Sequence, residues 1–516
     1  MEMACQRWAD RNAITYRGQS ITYAQLWDQV AALATAYRRL GVQAGDRVLC
    51  GLRNCPEHIV AINAAWACGA VHVGVDDDLT APELARLVDH IEPATVLFHP
   101  RGEGTRALEP LRSLSRSHPS VVRVLHETEP EGDEVSLTAL LQDGLDDEAS
   151  ASPRLEDDDT ALIFLTSGTT GRPKGVMETA PVCWAKMQFF ADAFRPGVSD
   201  VHLVYLPISH VFGLRLALLA LLRGGRVVLQ ERFSSKQALD LVGDERVTVL
   251  PGMPTHLTLL LSNFDPSRHE VESLRWIVSA AAGLPRPLVE AVYERFGTEL
   301  LYVFGCSEGF TTQTTDRHEI LRGSVGRTVF RGPPGTPANG AVAIMSPDSQ
   351  TLLPPGDIGE IVFGAATPVR YWREPDVATD GWYRTGDLGR MDPDGCLYVL
   401  GRLKELVNRG GLKVSPAEVE AVLLRHPRVA DAAIVAAPDP VLGEATCACL
   451  VPSDGQPPDL AEVRAFLGPT LARHKLPDEL CLLEQIPRSP IGKVDRPRLR
   501  KAVVDADAPR ERLRPR

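Results

Sequence analysis

The stretch 166-TSGTTGRPKG-175 decides how the rest of the chain is interpreted. It follows residues 161–165, a short continuous apolar run that is typical of a buried strand. Glycines let the backbone approach an anion closely, so N–H groups, hydroxyls and Lys174 can all point at one phosphate. Because Pro173 precedes the lysine and Gly175 follows it, this is not a Walker-type P-loop. The stretch therefore predicts a phosphate-binding loop at a strand end, in preference to a plain surface turn.

The composition is that of a globular chain of two or three domains. Its 516 residues exceed one ordinary hydrophobic core, and 44% are apolar and 24% charged. The net charge of −12 argues against a general nucleic-acid or membrane-surface binder, which needs a basic surface. The longest apolar stretches, 60–75 and 211–222, are too short or interrupted to span a bilayer, and the start does not resemble a secretion signal. We therefore expect a cytoplasmic protein without a membrane span or a nucleic-acid partner.

The ten cysteines are scattered, and none has the spacing of a zinc motif. Cys447 and Cys449 alternate as two residues on one face of a strand do. We therefore expect reduced thiols in the core.

Strands alternate with helices before the loop. Apolar residues three and four apart predict a helix over 26–40, residues 45–49 a strand, residues 57–68 a second helix and residues 69–75 another strand. This alternation predicts parallel strands with right-handed crossovers, and therefore an α/β layered domain. Glu, Asp, Ser and Pro predominate over 102–159, which we interpret as a surface excursion.

Later strands end in residues suited to binding. His210 lies where a strand ends, which is where ligands meet α/β sheets, although a lone histidine is more often structural. Residues 274–285 lead from a strand into small residues, which either line a pocket or let a helix pack closely. Another strand ends at Phe304, Ser307 and Glu308, which offer a flat ring, a hydroxyl and a carboxylate oxygen suited to magnesium.

The amino-acid composition and the predicted secondary structure change towards the C-terminus. Residues 324–400 are rich in Gly, Pro and Asp with short alternating apolar runs, which predicts β-rich structure. Asp387 stands in one of its turns, where it could accept ribose hydroxyls or cap the turn. The residues after 401 have the size of a small α+β domain. Lys493 lies there in a loop held by proline and glycine, a poor place for a lysine that only solubilises a helix.

Taken together, these motifs resemble the adenylate-forming superfamily, which includes acyl- and aryl-CoA synthetases, nonribosomal adenylation domains and beetle luciferase. The resemblance covers residues 21–500. The motifs occur in the family order at 166–175, 304–308, 383–387, 401–404, 410–416 and 490–493. The whole set is far more specific than any one of its members.

The resemblance implies an α/β fold with two domains. A large N-terminal domain, residues 1–400, would combine layered α/β subdomains with a β-rich subdomain. A hinge at 401–404 would join it to a small, mobile α+β domain at 405–505. We expect residues 506–516 to form a disordered charged tail.

The resemblance also implies roles for individual residues. The implied ATP-binding residues are Thr166, Ser167, Gly168, Thr169, Thr170, Gly171, Lys174, Phe304, Asp387 and Arg402. The implied catalytic residues are Lys493, Glu308, Ser307 and His210. The implied ligands of Mg²⁺ are Glu308 and Thr169. The implied substrate pocket contains His210, Val278, Ser279, Ala280, Ala281 and Gly305. Lys404 matches the residue about which the small domain rotates.

The implied reaction has two steps. A carboxylate attacks the α-phosphate of ATP, giving an acyl adenylate and pyrophosphate, while Lys493 and the loop N–H groups offset the charge repulsion. The small domain then rotates, and the thiol of CoA attacks the adenylate. The chain is thus expected to be an AMP-forming acid–thiol ligase that uses ATP, Mg²⁺ and CoA.

Several positions depart from the family pattern. Phe304 replaces a tyrosine and Ser307 a threonine, and both changes are mild. Residues 178–180, Glu-Thr-Ala, stand where relatives commonly have a Thr-His pair, so the loop can be supported differently. The aspartate that would hold an α-amino group is absent, whereas residues 278–285 are similar to benzoate-type ligases, which favours an aromatic or compact carboxylate. Arg215 could pair a second acidic group, but we favour a helix-surface arginine.

Other functions stay open at this point. The adenylate could pass to the phosphopantetheine of a separate carrier protein or to an amine, and nitrite could replace the carboxylate. A luciferase-like oxygenase would need a luciferin-type substrate and oxygen. A non-catalytic nucleotide-binding scaffold is disfavoured, because it has no need for the combination of Lys174, Glu308, Asp387, Arg402 and Lys493.

Overall fold

The computed structural model describes most of the chain. The described residues are 1–77, 79–99, 108–144, 155–166, 174–280, 282–314, 316–328, 341–364, 369–375, 377, 381–453, 456–488, 493–504 and 510–512. Their architecture confirms the predicted α/β class. Across these ranges no helix has both the length and the apolar character needed to cross a bilayer.

The first part of the chain alternates helices and strands as predicted. Its elements are α1 (Glu2–Arg7), β1 (Asn12–Tyr16), β2 (Gln19–Thr22), α2 (Tyr23–Arg39), β3 (Arg47–Gly51), α3 (Pro56–Ala67), β4 (Val71–Gly74), α4 (Ala81–Ile91), β5 (Thr95–Phe98), α5 (Glu109–Ser117), β6 (Val122–Leu125), β7 (Val135–Ser136) and α6 (Leu137–Asp143). Helix α2 begins where the sequence provides a capping box, in which Thr22 and Gln25 satisfy each other's backbone N–H groups.

The middle of the chain continues the alternation. Its elements are β8 (Thr160–Thr166), β9 (Lys174–Thr179), α7 (Ala180–Phe194), β10 (Val201–Val204), α8 (Val211–Leu222), β11 (Arg226–Leu229), α9 (Ser235–Asp244), β12 (Val249–Pro251), α10 (Pro254–Asn263), β13 (Trp276–Ser279), α11 (Arg286–Phe296), β14 (Glu299–Gly305), β15 (Phe310–Gln313) and α12 (Arg317–Leu321). A run of strands follows: β16 (Val342–Met345), β17 (Ile358–Gly364), β18 (Arg370–Tyr371), β19 (Trp382–Met391) and β20 (Leu397–Arg402).

These strands form mixed sheets. Sheet A has the order β15-β14-β13-β12-β10-β11-β1-β2, and sheet B has the order β18-β9-β8-β4-β3-β5-β6-β7. The central strands of both sheets pair in parallel, as the crossover helices require. Strands β16, β17, β19 and β20 form a separate antiparallel sheet, which confirms the predicted β-rich subdomain.

A layer of helices lies between sheets A and B. One hydrophobic cluster joins buried residues of α2, α3, α7 and α8 to strands of both sheets. Helix α8 is buried without interruption over residues 213–221, because it contacts protein on every side. Its sequence is accordingly apolar around the whole helix rather than along one stripe. Separate clusters cover the outer faces of the sheets, with α9, α10 and α11 on sheet A and α4 and α5 on sheet B.

The prediction of a surface excursion over 102–159 is wrong for its ordered middle. Strand β6 pairs with β5, and β7 pairs with β6, so this segment extends sheet B. Leu111 and Leu114 of α5 are fully buried in the cluster on the outer face. The apolar runs here are short and lie among polar residues, and they become strands only because the edge of β5 is available for pairing.

The last part of the chain forms a small α+β unit. A 3-10 helix at Leu403–Glu405 precedes β21 (Val407–Arg409), β22 (Leu412–Val414), α13 (Pro416–Leu423), β23 (Val429–Asp439), β24 (Gly443–Pro452), α14 (Leu460–Leu467), a 3-10 helix at Arg473–Lys475, β25 (Glu479–Leu482), α15 (Arg496–Val504) and β26 (Arg510–Arg512). The sheet order is β22-β21-β24-β25-β26, with β23 also on β24. Cys447 and Cys449 are buried on β24, in one cluster with Cys481 of β25.

Three residues of the predicted disordered tail are ordered. Arg510–Arg512 pair antiparallel with β25, whose outer edge offers unsatisfied backbone groups. The Glu511 carboxylate also accepts a hydrogen bond from the Leu460 N–H at the start of α14, at 2.9 Å. The prediction of disorder is therefore wrong for 510–512, where charged composition is outweighed by strand pairing.

The turn after β10 of sheet A approaches sheet B closely at the end of β4. A Cβ atom added to Gly74 would lie 2.7 Å from the Ser209 carbonyl oxygen and 2.8 Å from its Cα. Nearby, the buried Asn54 side chain donates to the Leu206 carbonyl at 3.0 Å and accepts from the Ile208 N–H at 2.9 Å. The turn after β10 is therefore held directly against sheet B.

We predict that Gly74→Ala destabilises the protein by about 1–3 kcal/mol, because the new methyl group meets backbone atoms that cannot change rotamer. Chemical denaturation measures this loss. Gly197→Ala is the control, since a Cβ atom there meets nothing within 4 Å. Equal stability of the two variants would mean that the two sheets separate easily at this point.

Candidate active site

The predicted phosphate loop connects two paired strands. Thr166 at the end of β8 lies opposite Lys174 at the start of β9, so the ends of the loop are held together. The Lys174 ammonium lies 3.1 Å from a Glu374 carboxylate oxygen and over the Tyr371 ring, 5.0 Å from its centroid. The intervening residues Ser167, Gly168, Thr169, Thr170 and Gly171, which carry most of the predicted contacts, lie outside the described residues.

Glu308 lies in the turn between β14 and β15. Its Oε1 accepts a hydrogen bond of 2.7 Å from the Tyr371 hydroxyl, which lies 3.0 Å from the Tyr383 hydroxyl. Burial and the Glu308 charge raise the pKa of Tyr371, so it remains a donor. Tyr371 therefore connects the Glu308 turn to Lys174 and to the predicted motif at 383–387. Sequence reasoning missed Tyr371, because β18 is only two residues long.

Asp387 and Arg402 are brought together as predicted. They are register partners on β19 and β20, and the Arg402 Nε lies 3.0 Å from Asp387 Oδ1. Asp387 is buried, with 7% of its surface exposed. Burial raises the pKa of its carboxyl group, and the charges of Arg402 and Lys493 offset part of that rise. A carboxylate with neighbouring cations thus lies at the edge of the large domain.

Lys493 comes to the same place from the small domain. The residue as a whole is exposed, but its ammonium group has lost part of its hydration, and this desolvation lowers its pKa. The charge of Arg402 lowers that pKa further. It interacts electrostatically with Asp387 and with Cys306, the residue before Ser307. The two domains therefore bring the predicted nucleotide residues and the predicted catalytic lysine into one site. Lys404 is exposed in the 3-10 helix between them.

His210 is the N-cap residue of α8 and lies at the meeting point of the two sheets. Its Nε2 is 3.0 Å from Oδ1 of Asp76, which follows β4. Burial alone would raise the pKa of Asp76, but the hydrogen bond and charge of His210 lower it overall. Asp76 thus fixes the orientation of the imidazole. The sequence did not predict this role, because an aspartate two residues beyond a strand resembles an ordinary turn residue.

The predicted pocket residues lie mainly in the core of sheet A. Val278 and Ser279 at the end of β13 are fully buried, and Ala280 is 7% exposed. The Ser279 hydroxyl has no hydrogen-bond partner within the described part of the chain. Phe304 and Gly305 are half-buried at the end of β14, and Ala281 lies outside the described residues.

A network of charged side chains in the helix layer supports the Glu308 turn from the interior of the protein. The Lys186 ammonium of α7 donates to the Glu308 carbonyl at 2.7 Å and to the Ser307 carbonyl at 3.2 Å. The Glu178 side chain is 1% exposed, and its Oε1 lies 2.5 Å from the Lys186 ammonium and 2.5 Å from Nη2 of Arg215. Burial alone would raise the pKa of Glu178, but the charges of Arg215 and Lys186 outweigh it and lower that pKa. The network links the helix layer to the turn that bears the predicted catalytic residues.

The favoured interpretation of Arg215 as a helix-surface residue is wrong. Arg215 is completely buried, because α8 lies between two sheets and has no face towards solvent. Glu178 belongs to the 178–180 segment in which the chain departs from the family pattern, and this departure was the sequence feature that could have indicated its special role. Lys186 was missed, because a lysine on an amphipathic helix is usually solvated.

We predict that Glu178→Gln lowers the free energy of unfolding by about 3–5 kcal/mol at neutral pH, because the buried Arg215 and the half-buried Lys186 lose their carboxylate. Glu178 has a lowered pKa when folded, so its contribution is present above the unfolded value of about 4.3 and declines as pH falls through the folded value. The difference between wild type and variant should therefore narrow at acid pH, as measured by denaturation at several pH values.

Glu290→Gln provides the control. Glu290 is 46% exposed and pairs with Arg286 on the surface of α11, so its loss should change stability by less than about 0.5 kcal/mol. A Glu178→Gln effect as small as this, or one independent of pH, would contradict a buried ion network.

The fold and this site together define an adenylate-forming enzyme. The AMP-binding enzyme family matches residues 1–370, and the AMP-binding enzyme C-terminal domain matches residues 418–493, so the chain belongs to the AMP-binding enzyme family. This confirms the resemblance found in the motifs.

Similar proteins have varied names. The chain is 33% identical to triostin synthetase I of Streptomyces triostinicus, over 98% of this chain and 93% of that protein. It is also 33% identical to sulfoacetate–CoA ligase of Cupriavidus necator, over 93% of this chain and 92% of that one. The solved structure of an amide bond synthetase from Marinactinospora thermotolerans has a TM-score of 0.83 and 29% identity, covering 95% of this chain and 96% of that one.

Proposed function

We propose that the protein activates a carboxylic acid with ATP, forming an acyl adenylate and pyrophosphate, and then transfers the acyl group to the thiol of CoA. The observation that carries this proposal is the convergence of Lys493, from the small domain, on the buried Asp387, which is paired with the exposed Arg402 in the large domain. A protein that only bound a nucleotide would have no need for a second domain that carries a cation to this point.

Each part of ATP has a group suited to it. Asp387 can accept hydrogen bonds from ribose hydroxyls, because its carboxylate is buried and held by Arg402. Phe304, half-buried at the end of β14, offers its ring to adenine. Lys174 is the first residue of β9, directly after the loop that we propose to bind the terminal phosphates.

The Glu308 carboxylate fits Mg²⁺. It is half-buried and supplies hard oxygen ligands, one of which is already held by Tyr371. The cation, when bound, would neutralise negative charge on the phosphates. We propose Thr169 as a further ligand on the motif alone.

In the first step, the substrate carboxylate attacks the α-phosphate, and the bond to the leaving pyrophosphate breaks. Two anions must approach each other, so fixed positive charge lowers the barrier most. Lys493 is the side chain we propose for this purpose, with Ser307 beside the α-phosphate and His210 near the acid. The small domain would then turn about Lys404 at the hinge 401–404, withdraw Lys493 and admit the thiol.

We propose that the acid is aromatic or otherwise compact. Val278, Ser279 and Ala280 at the end of β13 are small or medium-sized, and they begin the stretch 278–285 that is similar to benzoate-type ligases. Lys186 and Arg215 together carry one more positive charge than Glu178 can neutralise, and this excess lies behind the Ser307–Glu308 turn. A small anionic substrate would benefit from that field.

A second candidate transfers the adenylate to an amine. The amide bond synthetase noted above shares this fold at 29% identity over nearly the whole chain, which favours it as the alternative acceptor chemistry. The phosphopantetheine of a separate carrier protein offers the same thiol as CoA and is tested in the same way.

The test is pyrophosphate release with benzoates, cinnamates, short acids, fatty acids, amino acids and nitrite, each with and without CoA, an amine or a carrier protein. We expect release with one class of compact acid, followed by a CoA thioester. Amide formation instead would favour the second candidate, and release with nitrite alone would replace the carboxylate. No release with any compound would overturn the proposal.

We predict that Lys493→Ala slows pyrophosphate release roughly 100-fold or more, because a fixed positive charge is lost from the transition state. Formation of thioester from a supplied acyl adenylate should change only slightly. Lys501→Ala is the control, since Lys501 is exposed on α15 of the same domain. Equal loss of both half-reactions in Lys493→Ala would contradict the role proposed for this lysine.

A further inference from the structure

Three side chains of metal-binding type, none of them among the predicted active-site residues, meet where α3 packs on sheet B. Cys50 of β3 and His72 of β4 project from neighbouring parallel strands of sheet B, and His58 of α3 packs against them. The exposed fractions are 0% for Cys50 and His58 and 2% for His72. Cys50 belongs to the hydrophobic cluster between the two sheets. Three polar groups in such a place need an explanation.

Their ligand atoms already lie close together. One atom from each side chain, the Cys50 sulfur and a nitrogen of each imidazole, lies within 4.8 Å of both others. The imidazole centroids are 5.6 Å apart, and the rings are inclined by 45°. In tetrahedral zinc sites, bond lengths near 2.0–2.3 Å put ligand atoms about 3.3–3.6 Å apart. Small side-chain rotations would bring these three atoms to that separation.

The imidazole nitrogens lack the partners that buried polar atoms normally have. His58 Nε2 and both nitrogens of His72 have no hydrogen-bond partner among the described residues, although each atom is inaccessible to solvent. Unpaired polar atoms in a core cost free energy, and they commonly mark a bound ion or water. The unused nitrogens here face a thiol, which favours a soft or borderline metal ion.

His58 also has the tautomer that a metal ligand requires. Its Nδ1 lies 3.1 Å from the Arg53 carbonyl oxygen, a contact that requires Nδ1 to carry the proton. The lone pair of Nε2 is therefore directed into the cluster. Histidines that bind metals typically donate their other N–H to a backbone carbonyl in this way.

We propose that Cys50, His58 and His72 bind a divalent cation of the zinc class inside the large domain. The cation is bound by one sulfur and two nitrogens, and binding releases the proton of the Cys50 thiol. Because the site is closed to solvent, the ion enters during folding and has a structural role. It ties α3 to β3 and β4; Asn54 lies in the connection between β3 and α3, and Gly74 ends β4 at the contact between the sheets.

Tyr37 of α2 completes the surroundings. It is fully buried, its hydroxyl has no hydrogen-bond partner in the described ranges, and it interacts electrostatically with Cys50. A phenol beside a metal-bound thiolate can donate its proton as a hydrogen bond. Without a metal, the same hydroxyl faces only a weakly polar thiol.

The test is the metal content of the full-length protein expressed in zinc-supplemented medium and purified without chelators. We expect about one zinc per chain, because the three side chains form a single set of ligands around one ion. Cobalt in place of zinc should give a thiolate-to-cobalt charge-transfer band that disappears in Cys50→Ala. Zinc should also raise the melting temperature of the wild type, compared with protein expressed under zinc depletion.

His72→Phe and Cys50→Ala should lose the ion, and each has a matched control. His202→Phe removes a histidine that is also buried, with an unpartnered Nε2 in the described structure, but that lies on β10 outside the cluster. Cys68→Ala removes another buried thiol of the same core. Both controls should keep the zinc.

Two results would overturn the proposal. One is folded wild-type protein with far less than one zinc per chain after zinc-supplemented expression, which would leave buried water as the partner of these nitrogens. The other is unchanged zinc content in Cys50→Ala. The cysteine variant removes little core volume, so it remains informative if His72→Phe does not fold.

Discussion

The burial of one helix layer between two sheets is the constraint on which the structure depends. Helix α3 is buried without interruption over residues 58–65 and helix α8 over residues 213–221, so each needs protein on every side. That requirement brings the ends of β4 and β10 together, at the close contact of Gly74 with the turn before α8. His210 and Asp76 meet at this contact, although they are distant in sequence. The position of the site is thus a consequence of core packing.

The charged side chains inside the helix layer form a network that reaches the Ser307–Glu308 turn of the candidate active site. A buried carboxylate or guanidinium carries a large desolvation cost, so such groups persist only with well-made partners. Glu178 is the shared partner of Arg215 and Lys186, and Lys186 holds two backbone carbonyls of the Ser307–Glu308 turn. The turn is therefore anchored from inside the protein. A mobile turn would hold its carboxylate less accurately and bind a cation less well.

The proposed chemistry needs the opposite property in the small domain. Lys493 reaches Asp387 and Arg402 only while the domains stand in the arrangement seen here. A reaction in two steps benefits from removing that cation after the first step, because the thiol must then approach the acyl carbon of the adenylate and displace AMP. An anchored turn in the large domain, and a lysine on the small domain that we propose to rotate, suit these two demands.

The sequence by itself determined the α/β class, most strands and helices, the β-rich segment and the identity of the family, because periodicity and short motifs are local properties. It also identified Asp387, Arg402 and Lys493 as candidates for one site. The tertiary structure alone decided that Arg215 is buried, that Lys186 supports the Glu308 turn and that β6 and β7 extend a sheet. It likewise gathered Cys50, His58 and His72, whose spacing resembles no zinc motif. These features depend on which surfaces face each other after folding, and residues from separate elements leave no common pattern along the chain.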